Sequence, residues 1–441
     1  MTYPDGKKID WLPFLIIIFI GFQQFPVIRV GGSLRIYEIL AFFGVFFALK
    51  KASEGRVRLN WLFFIFFVAS PFISLWYFWL SDPPFNSYVA AFPDKWQDFR
   101  YMPFPATFVP AFYYGLCFVS YFLIVNSKWI YRNKEKVIYW CICVGFFIAI
   151  LSLFTSVLNF FSIPGIIQVL PDSVQNVGVI EYAGRGFCLI QETSLYVLYK
   201  GWIVLFSIYY KNLLSAKFRH FVIFVQLVAL FSTMSSALVA FFASLVLMNL
   251  LISNFSFRKL LKYVLFLFLF LLIVYYSGFW DYFYYMGIEK VMNFFSNPDS
   301  TGDSGFMRAY TAKLGLMIFL DHPFFGVGPG ASIYYMPHYS NLYPISFVSE
   351  YLNAGSVPQN SYVSVLAELG IFGFIFMISV LLYCLRQFYK LRHDPRDKLF
   401  LIGLFFTVGS LLSVTPAYSM FIWVFLFLGV NFSCAEQRFV S

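Results

Sequence analysis

The chain has 441 residues, of which 60% are hydrophobic and only 12% charged, and its formal net charge is +10. A water-soluble protein of that length has too little interior to hide so much apolar surface, so a soluble fold is excluded. The positive charge does not indicate nucleic acid either, because the basic residues sit in short segments between apolar runs, where they act as topology signals.

Apolar runs of roughly 17–25 residues, long enough to cross a hydrocarbon core as helix, recur throughout. They predict an all-α, polytopic transmembrane helical bundle of about twelve spans, a single integral membrane domain over 1–441. The spans are expected near 11–28, 34–49, 59–80, 109–127, 137–162, 188–210, 220–235, 237–253, 260–277, 361–385, 398–414 and 418–434. Lys7 and Lys8 precede the first run, which lacks a small-residue cleavage site and reads as a retained span rather than a signal peptide. The seventh and eighth spans form a hairpin about Ser232–Ser236. Assigning alternate connections to the cytoplasm places most of the 31 Lys and Arg there, with both termini inside. The opposite side keeps Arg29, Arg35, Lys95, Arg100, Arg185, Lys290, Arg308 and Lys313. It also owns the long connections near 81–108, 163–187 and 278–360, the first of them read as a lid or rim.

Chemistry is expected in the polar segment 278–360, an external loop with short helices between the ninth and tenth spans. Cations on the side disfavoured by topology need a reason to be there. Arg185 lies in Tyr182–Glu192, where a connection enters the sixth span, and Glu192 follows roughly two turns deeper. An ionisable group at that depth is a functional candidate; a structural Arg–Glu pair is the alternative. Arg308 sits on a helix capped by Asp303 or Ser304. Phe306, Tyr310, Leu314 and Met317 form its apolar face, leaving Arg308, Thr311 and Gly315 on another; an interfacial helix meeting lipid headgroups is the competing reading.

In Asp321-His-Pro-Phe-Phe-Gly-Val-Gly-Pro-Gly330, Pro323 ends that helix and the glycines permit a sharp reversal. This reads as architecture before phosphate cradle. His338 and His322 are the candidate bases of this side. Gln359 and Asn360 open the tenth span, where a helix N-terminus suits an anion and Asn360 also serves as a plain cap. The six cysteines have no ligand or disulfide-framework spacing. No His or carboxylate cluster has metal-ligand spacing, so neither metal nor cofactor is expected.

In this order the pieces resemble the O-antigen polymerase (Wzy) and O-antigen ligase superfamily over roughly 185–376. Arg185 through Glu192-Thr-Ser is similar to its Arg…Glu-Pro-Ser segment, with Thr193 in place of Pro. Ser232-Thr-Met-Ser-Ser-Ala is similar to its Ser-rich hairpin, and Arg308 with the 321–330 turn to its external-loop Arg and Pro-x-x-Gly-x-Gly. Gln359-Asn360, nine residues, then Gly370-Ile-Phe-Gly373 has the spacing of the ligase motif His-Asn-x9-Gly-x-x-Gly, except that Gln replaces His. Gln takes no proton at neutral pH, which favours polymerase over ligase.

The resemblance implies an inverting glycosyltransferase of the bacterial inner membrane, working on the periplasmic side. Its donor and acceptor are lipid-linked oligosaccharides on undecaprenyl pyrophosphate, and a chain-length regulator and a flippase are the implied partners. Arg185 and Arg308 would stabilise the leaving pyrophosphate, with Glu192 or His338 as base. Gln359 and Asn360 would bind the anion, and Tyr335 and Tyr339 would stack on sugars. A ligase acting on lipid A core or protein is the nearest alternative. A twelve-span transporter is the more distant one, and a long external rather than central cytoplasmic interruption disfavours it.

Overall fold

The computed structural model describes residues 10–23, 27–29, 33–54, 59–160, 193–233, 237–252, 304–342 and 355–435, with isolated positions 190, 235, 265, 272, 276 and 352. Among them, a two-stranded ribbon pairs β1 (Val27–Arg29) with β2 (Ser33–Arg35); the remaining regular structure is helical. In chain order the described helices of seven residues or more are α1 (Trp11–Phe19), α2 (Ile36–Ser53), α3 (Trp61–Leu80), α4 (Phe85–Ala91) and α5 (Pro103–Val125). There follow α6 (Lys134–Phe160), α7 (Thr193–Tyr209), α8 (Ala216–Phe231) and α9 (Ala237–Ile252). The chain then runs through α10 (Ser304–Asp321), α11 (Ser332–Leu342), α12 (Ser361–Lys390), α13 (Leu399–Ser410) and α14 (Met420–Ala435).

Four described segments are long and apolar enough to cross a bilayer: α3, α5, the Lys134–Phe154 part of α6, and α12 continued to His393. Helices α7, α13 and α14 are apolar but shorter. This is a helical membrane protein. The span expected over 260–277 falls almost wholly outside the described residues. The one expected over 11–28 ends early, because α1 stops at Phe19. Just beyond it the backbone at Gly21 passes so near Ile148 and Tyr199 that a Cβ would lie 2.5 Å from the first. The atoms that approach there are side-chain ends, Ile148 Cδ1 and the Tyr199 ring.

The centre of the bundle is α14, in which Met420–Ser433 is buried. A helix that is apolar all round is one with neighbours all round. Trp423 packs edge-on to Phe67 at 5.2 Å, and Phe63 stacks on Tyr121 at 4.0 Å. Lipid tails are as apolar as these rings, so such contacts hold the helices together by close packing rather than by escape from water.

At one end of the bundle Asp10 pairs with Lys51 at 3.1 Å and accepts from Ser127 at 2.9 Å. Buried Asp397 accepts from Tyr210 at 2.6 Å and pairs with Lys134. Lys51, Lys134 and the nearby Arg396, which pairs with Glu135, all come from connections expected on the same side of the membrane.

A second, smaller core sits elsewhere. It joins Phe78 of α3 and Tyr88 of α4 to Tyr310, Leu314 and Ile318 of α10 and to Tyr334, Tyr335 and Tyr339 of α11. Tyr334 packs edge-on to Phe85 and Tyr88, both at 5.1 Å, and its hydroxyl donates to the Tyr101 carbonyl at 2.8 Å. The connection near 81–108 thus packs on the Tyr-rich helix through Phe85, Tyr88 and the Tyr101 carbonyl.

Candidate functional site

The glycine turn after α10 and the start of α12 form one joint. Helix α12 breaks at Gly370, where φ is 66° and ψ −168°, a conformation essentially confined to glycine. The turn docks into the break. Val327 and Gly328 donate their N–H groups to the carbonyls of Ala367 and Glu368, each at 2.9 Å. In return Ile371 and Phe372 donate to Pro323 and Phe324 at 2.8 and 3.2 Å. The opened helix thus keeps its backbone groups satisfied, as an apolar interior demands. Gly326, at φ +66°, lies so close that a Cβ would stand 2.4 Å from the Glu368 carbonyl carbon; one on Gly370 would stand 2.3 Å from the Phe324 oxygen. Buried Glu368 accepts from the Ser332 hydroxyl at 2.7 Å, tying α11 to the same joint. These glycines are spent on backbone approach.

The Arg308 face of α10 meets α12 and the 411–419 segment that joins α13 to α14. A Cβ on Gly315 would lie 2.8 Å from Pro358 and 2.7 Å from Val363, so the small side of α10 is where α12 begins. The Thr311 hydroxyl accepts from the Gln359 N–H at 3.3 Å. The Asn360 side chain caps α12, accepting from Tyr362 and Val363 at 3.0 and 3.2 Å. Ser361 donates its N–H to Leu411 at 2.9 Å and its hydroxyl to the Val414 carbonyl. Between them, the Arg308 guanidinium donates through Nη1 to the Ser413 carbonyl at 2.6 Å, a charge-assisted bond.

The 411–419 segment also walls a cavity of about 450 Å³, lined by Arg35, Glu38, Tyr113, Leu195, Thr415, Pro416, Tyr418 and Ser419. That volume lies in the range of roughly 300–1,000 Å³ typical of small-molecule sites. Arg35 and Glu38 open α2 as a reciprocal cap: Glu38 accepts from the Arg35 N–H at 2.9 Å and from its guanidinium at 3.1 Å. The same Nη1 donates to the Tyr37 hydroxyl at 3.1 Å. Tyr113 and Tyr418 stack with planes 9° apart. An arginine, a carboxylate, an aromatic wall and three hydroxyl-bearing residue types suit a polar, ring-shaped ligand better than a purely apolar one.

The residues singled out from sequence are dispersed differently from expectation. Arg308 and the Gln359–Asn360 helix start share the 411–419 segment. Arg185 and Glu192 lie outside the described residues, although Leu195, in the first turn of α7, lines the cavity. Tyr335 and Tyr339, expected to present rings to sugars, are only 4% and 5% exposed and belong to the second core; Tyr339 donates to Asp321. They are buried because α11 is pinned on both sides, by α4 and by α10. His338, edge-on to Tyr339 at 5.3 Å, rides on α11. That helix packs on the Tyr310 face of α10, where Tyr310 and Ser340 bond at 3.0 Å, roughly opposite the Arg308 face. His322 sits edge-on to Tyr335 at 5.3 Å, and burial lowers its pKa below the ordinary imidazole value while Asp321 raises it.

Sequence reasoning passed over Arg35, Glu38 and 411–419. One signal was present: Arg35 is a cation on the disfavoured side, three residues before a carboxylate at the head of an apolar run, which is capping-box spacing.

Fold and site together define a class: a helical membrane protein with a polar cavity and an anchored arginine at one place in an apolar bundle. Residues 221–378 match the family model described as O-Antigen ligase. The Teichuronic acid biosynthesis protein TuaE of Bacillus subtilis (strain 168) is 30% identical over 161 residues, 35% of this chain and 30% of that protein. The chain thus aligns with under a third of that relative's length. Over this segment both comparisons support the O-antigen polymerase and ligase superfamily. The matched stretch holds Arg308, the glycine turn and the head of α12; the lining residues of the cavity all lie outside it.

Proposed function

We propose that the chain is an inverting membrane glycosyltransferase that polymerises oligosaccharide repeat units carried on undecaprenyl pyrophosphate into a surface polysaccharide. One observation carries this reading: Arg308, the Asn360-capped start of α12 and the cavity all bear on the 411–419 segment. An acceptor hydroxyl attacks the anomeric carbon, the new C–O bond forms, and the lipid diphosphate leaves with the old bonding pair. A fixed guanidinium matches the charge growing on that leaving group. Arg185 is the second cation and Glu192 the carboxylate that orients it, while the side-chain amide N–H groups of Gln359 and Asn360 add donors to the anion. Positioning of two bound substrates supplies much of the remaining rate.

The reading places about twelve spans in a bacterial inner membrane, with both termini cytoplasmic and the 278–360 segment with the site on the periplasmic face. The clustering of Lys51, Lys134 and Arg396 with their acidic partners at one end of the bundle supports that sidedness. A flippase delivers the substrate and a chain-length regulator limits the product.

Ligation to a separate acceptor is the second reading, favoured by the description of the matching family. Gln359, where a ligase carries His, weighs against it. The purified protein in nanodiscs, given a polyprenyl-diphosphate-linked repeat alone, is expected to yield a ladder. Products that form only after a second acceptor is added would make it a ligase, and an unconsumed repeat would remove both readings. Arg308→Ala is expected to lower chain extension by about 100-fold or more, with insertion and monodispersity retained.

A further inference from the structure

We infer that the cavity beside the 411–419 segment receives the acceptor sugar and that Glu38 is the catalytic residue that takes the proton from its attacking hydroxyl. The inference rests on the glycosyl-transfer reading above and supplies what that reading lacks. Gln359 stands where a ligase has His, and His338 rides on the helix packed against the far face of α10.

Glu38 is the one carboxylate among the described lining residues of the cavity. It is 4% exposed, and α2 fixes it from its own first turn. Arg35 donates to both of its oxygens, from the backbone N–H at 2.9 Å and from the guanidinium at 3.1 Å. Those bonds fix the orientation of the carboxylate. They do not exhaust it, because an ionised carboxylate offers about four lone-pair sites. Arg35 is accordingly a positioning residue.

The rest of the lining fits a saccharide. Tyr113 and Tyr418 lie nearly parallel, with ring centroids 6.0 Å apart, and Thr415 and Ser419 bring hydroxyls to the same wall. The cavity and the Arg308 anchor use neighbouring residues of one short segment, 415–419 and 413. In an inverting displacement the acceptor oxygen and the leaving oxygen lie on opposite sides of one anomeric carbon, and both sites border this segment. The step balances: the acceptor O–H proton passes to Glu38, its oxygen bonds the anomeric carbon, and the diphosphate departs with the electron pair. Glu38 then returns the proton to solvent as the lengthened product leaves.

The test uses the full chain in nanodiscs with a polyprenyl-diphosphate-linked repeat as both donor and acceptor. Glu38→Gln is expected to lower turnover about 100-fold or more, with donor binding unchanged within threefold. The fall in wild-type rate on acidification, followed from about pH 4 to 8, should vanish from its residual activity. Glu38→Ala should regain turnover on addition of formate, a rescue that a purely structural cap would not show.

The assignment is overturned if Glu38→Gln extends chains within threefold of wild type while Arg308→Ala does not. It is equally overturned if formate rescues nothing, or if Glu192→Gln rather than Glu38→Gln removes the acid limb. Should Glu38→Gln not purify as a monodisperse protein, the wild-type profile decides, and a rate that stays flat on acidification refutes a carboxylate base. A wild-type protein that makes no ladder at all would refute the glycosyl-transfer reading first.

Discussion

The joint between the 321–330 turn and Gly370 lies within α12 and the cavity is walled by the 411–419 segment bonded to the start of α12, yet the two are built on opposite principles. The joint is made of backbone. Four reciprocal main-chain bonds and two glycines at φ +66° hold it, and any Cβ at those glycines meets main-chain atoms. The cavity is made of side chains that come from α2, α5, α7 and the α13–α14 connection, brought together only by packing. A backbone constraint narrows the residues a position accepts; a cavity assembled from distant elements leaves each of its residues locally ordinary.

The sharpest way to break that comparison is to add one methyl group to the joint. Gly370→Ala puts Cβ 2.3 Å from the Phe324 oxygen in a backbone conformation that L-residues avoid, and Gly326→Ala does the same against Glu368 at 2.4 Å. Each is expected to cost roughly 3 kcal/mol or more, from the φ penalty and the enforced separation of the turn from α12. Thermal unfolding in detergent should show a large fall in midpoint or loss of the monodisperse species. A midpoint within a degree or two of wild type would mean that the turn and the break in α12 separate without consequence.

This contrast also explains how much could be read from the chain beforehand. The helical membrane class follows from composition, because no other fold hides so many apolar residues. The turn was legible through Pro323 and its glycines, and Asn360 through its place before an apolar run. Arg308 stood out as a cation on a side with few. The cavity was not legible. Tyr113, Leu195 and Thr415 carry no local pattern, and Arg35 with Glu38 reads as a helix cap until Tyr418 and Ser419 are seen across from it. The fate of Tyr335 and Tyr339 was lost for a related reason. A Tyr-rich segment reads alike whether it faces sugar, lipid headgroups or a wall, and the wall here comes from α4, distant in sequence.

A milder perturbation sharpens the comparison by acting on both regions at once. Asn360 caps α12 through two N–H bonds, and the next residue ties that helix to Leu411 and Val414. Asn360→Ala is expected to lower stability by about 1 kcal/mol, the usual worth of such a cap. It should also reduce chain extension more than that loss alone accounts for, since 411–419 walls the cavity. Asn360→Asp keeps the acceptor oxygen and should restore stability. If the Ala variant loses stability but extends chains at the wild-type rate, the cap and the cavity are mechanically independent.

The smallest effect is expected where a glycine carries none of these duties. Gly115 lies within α5, and beyond its chain neighbours and its own helix backbone no atom stands within 4 Å of a Cβ built there. In a helix interior alanine is favoured over glycine by roughly 0.5–1 kcal/mol, because glycine loses more backbone freedom on folding. Gly115→Ala should therefore raise the unfolding midpoint slightly and leave chain extension unchanged. The same methyl group that disrupts Gly370 would then be harmless or helpful fewer than 300 residues away in sequence, in a helix of the same bundle. A destabilised Gly115→Ala would show that the lipid-facing side of α5 is a close contact after all, and that tolerance to a methyl group does not separate backbone-built from side-chain-built regions in this protein.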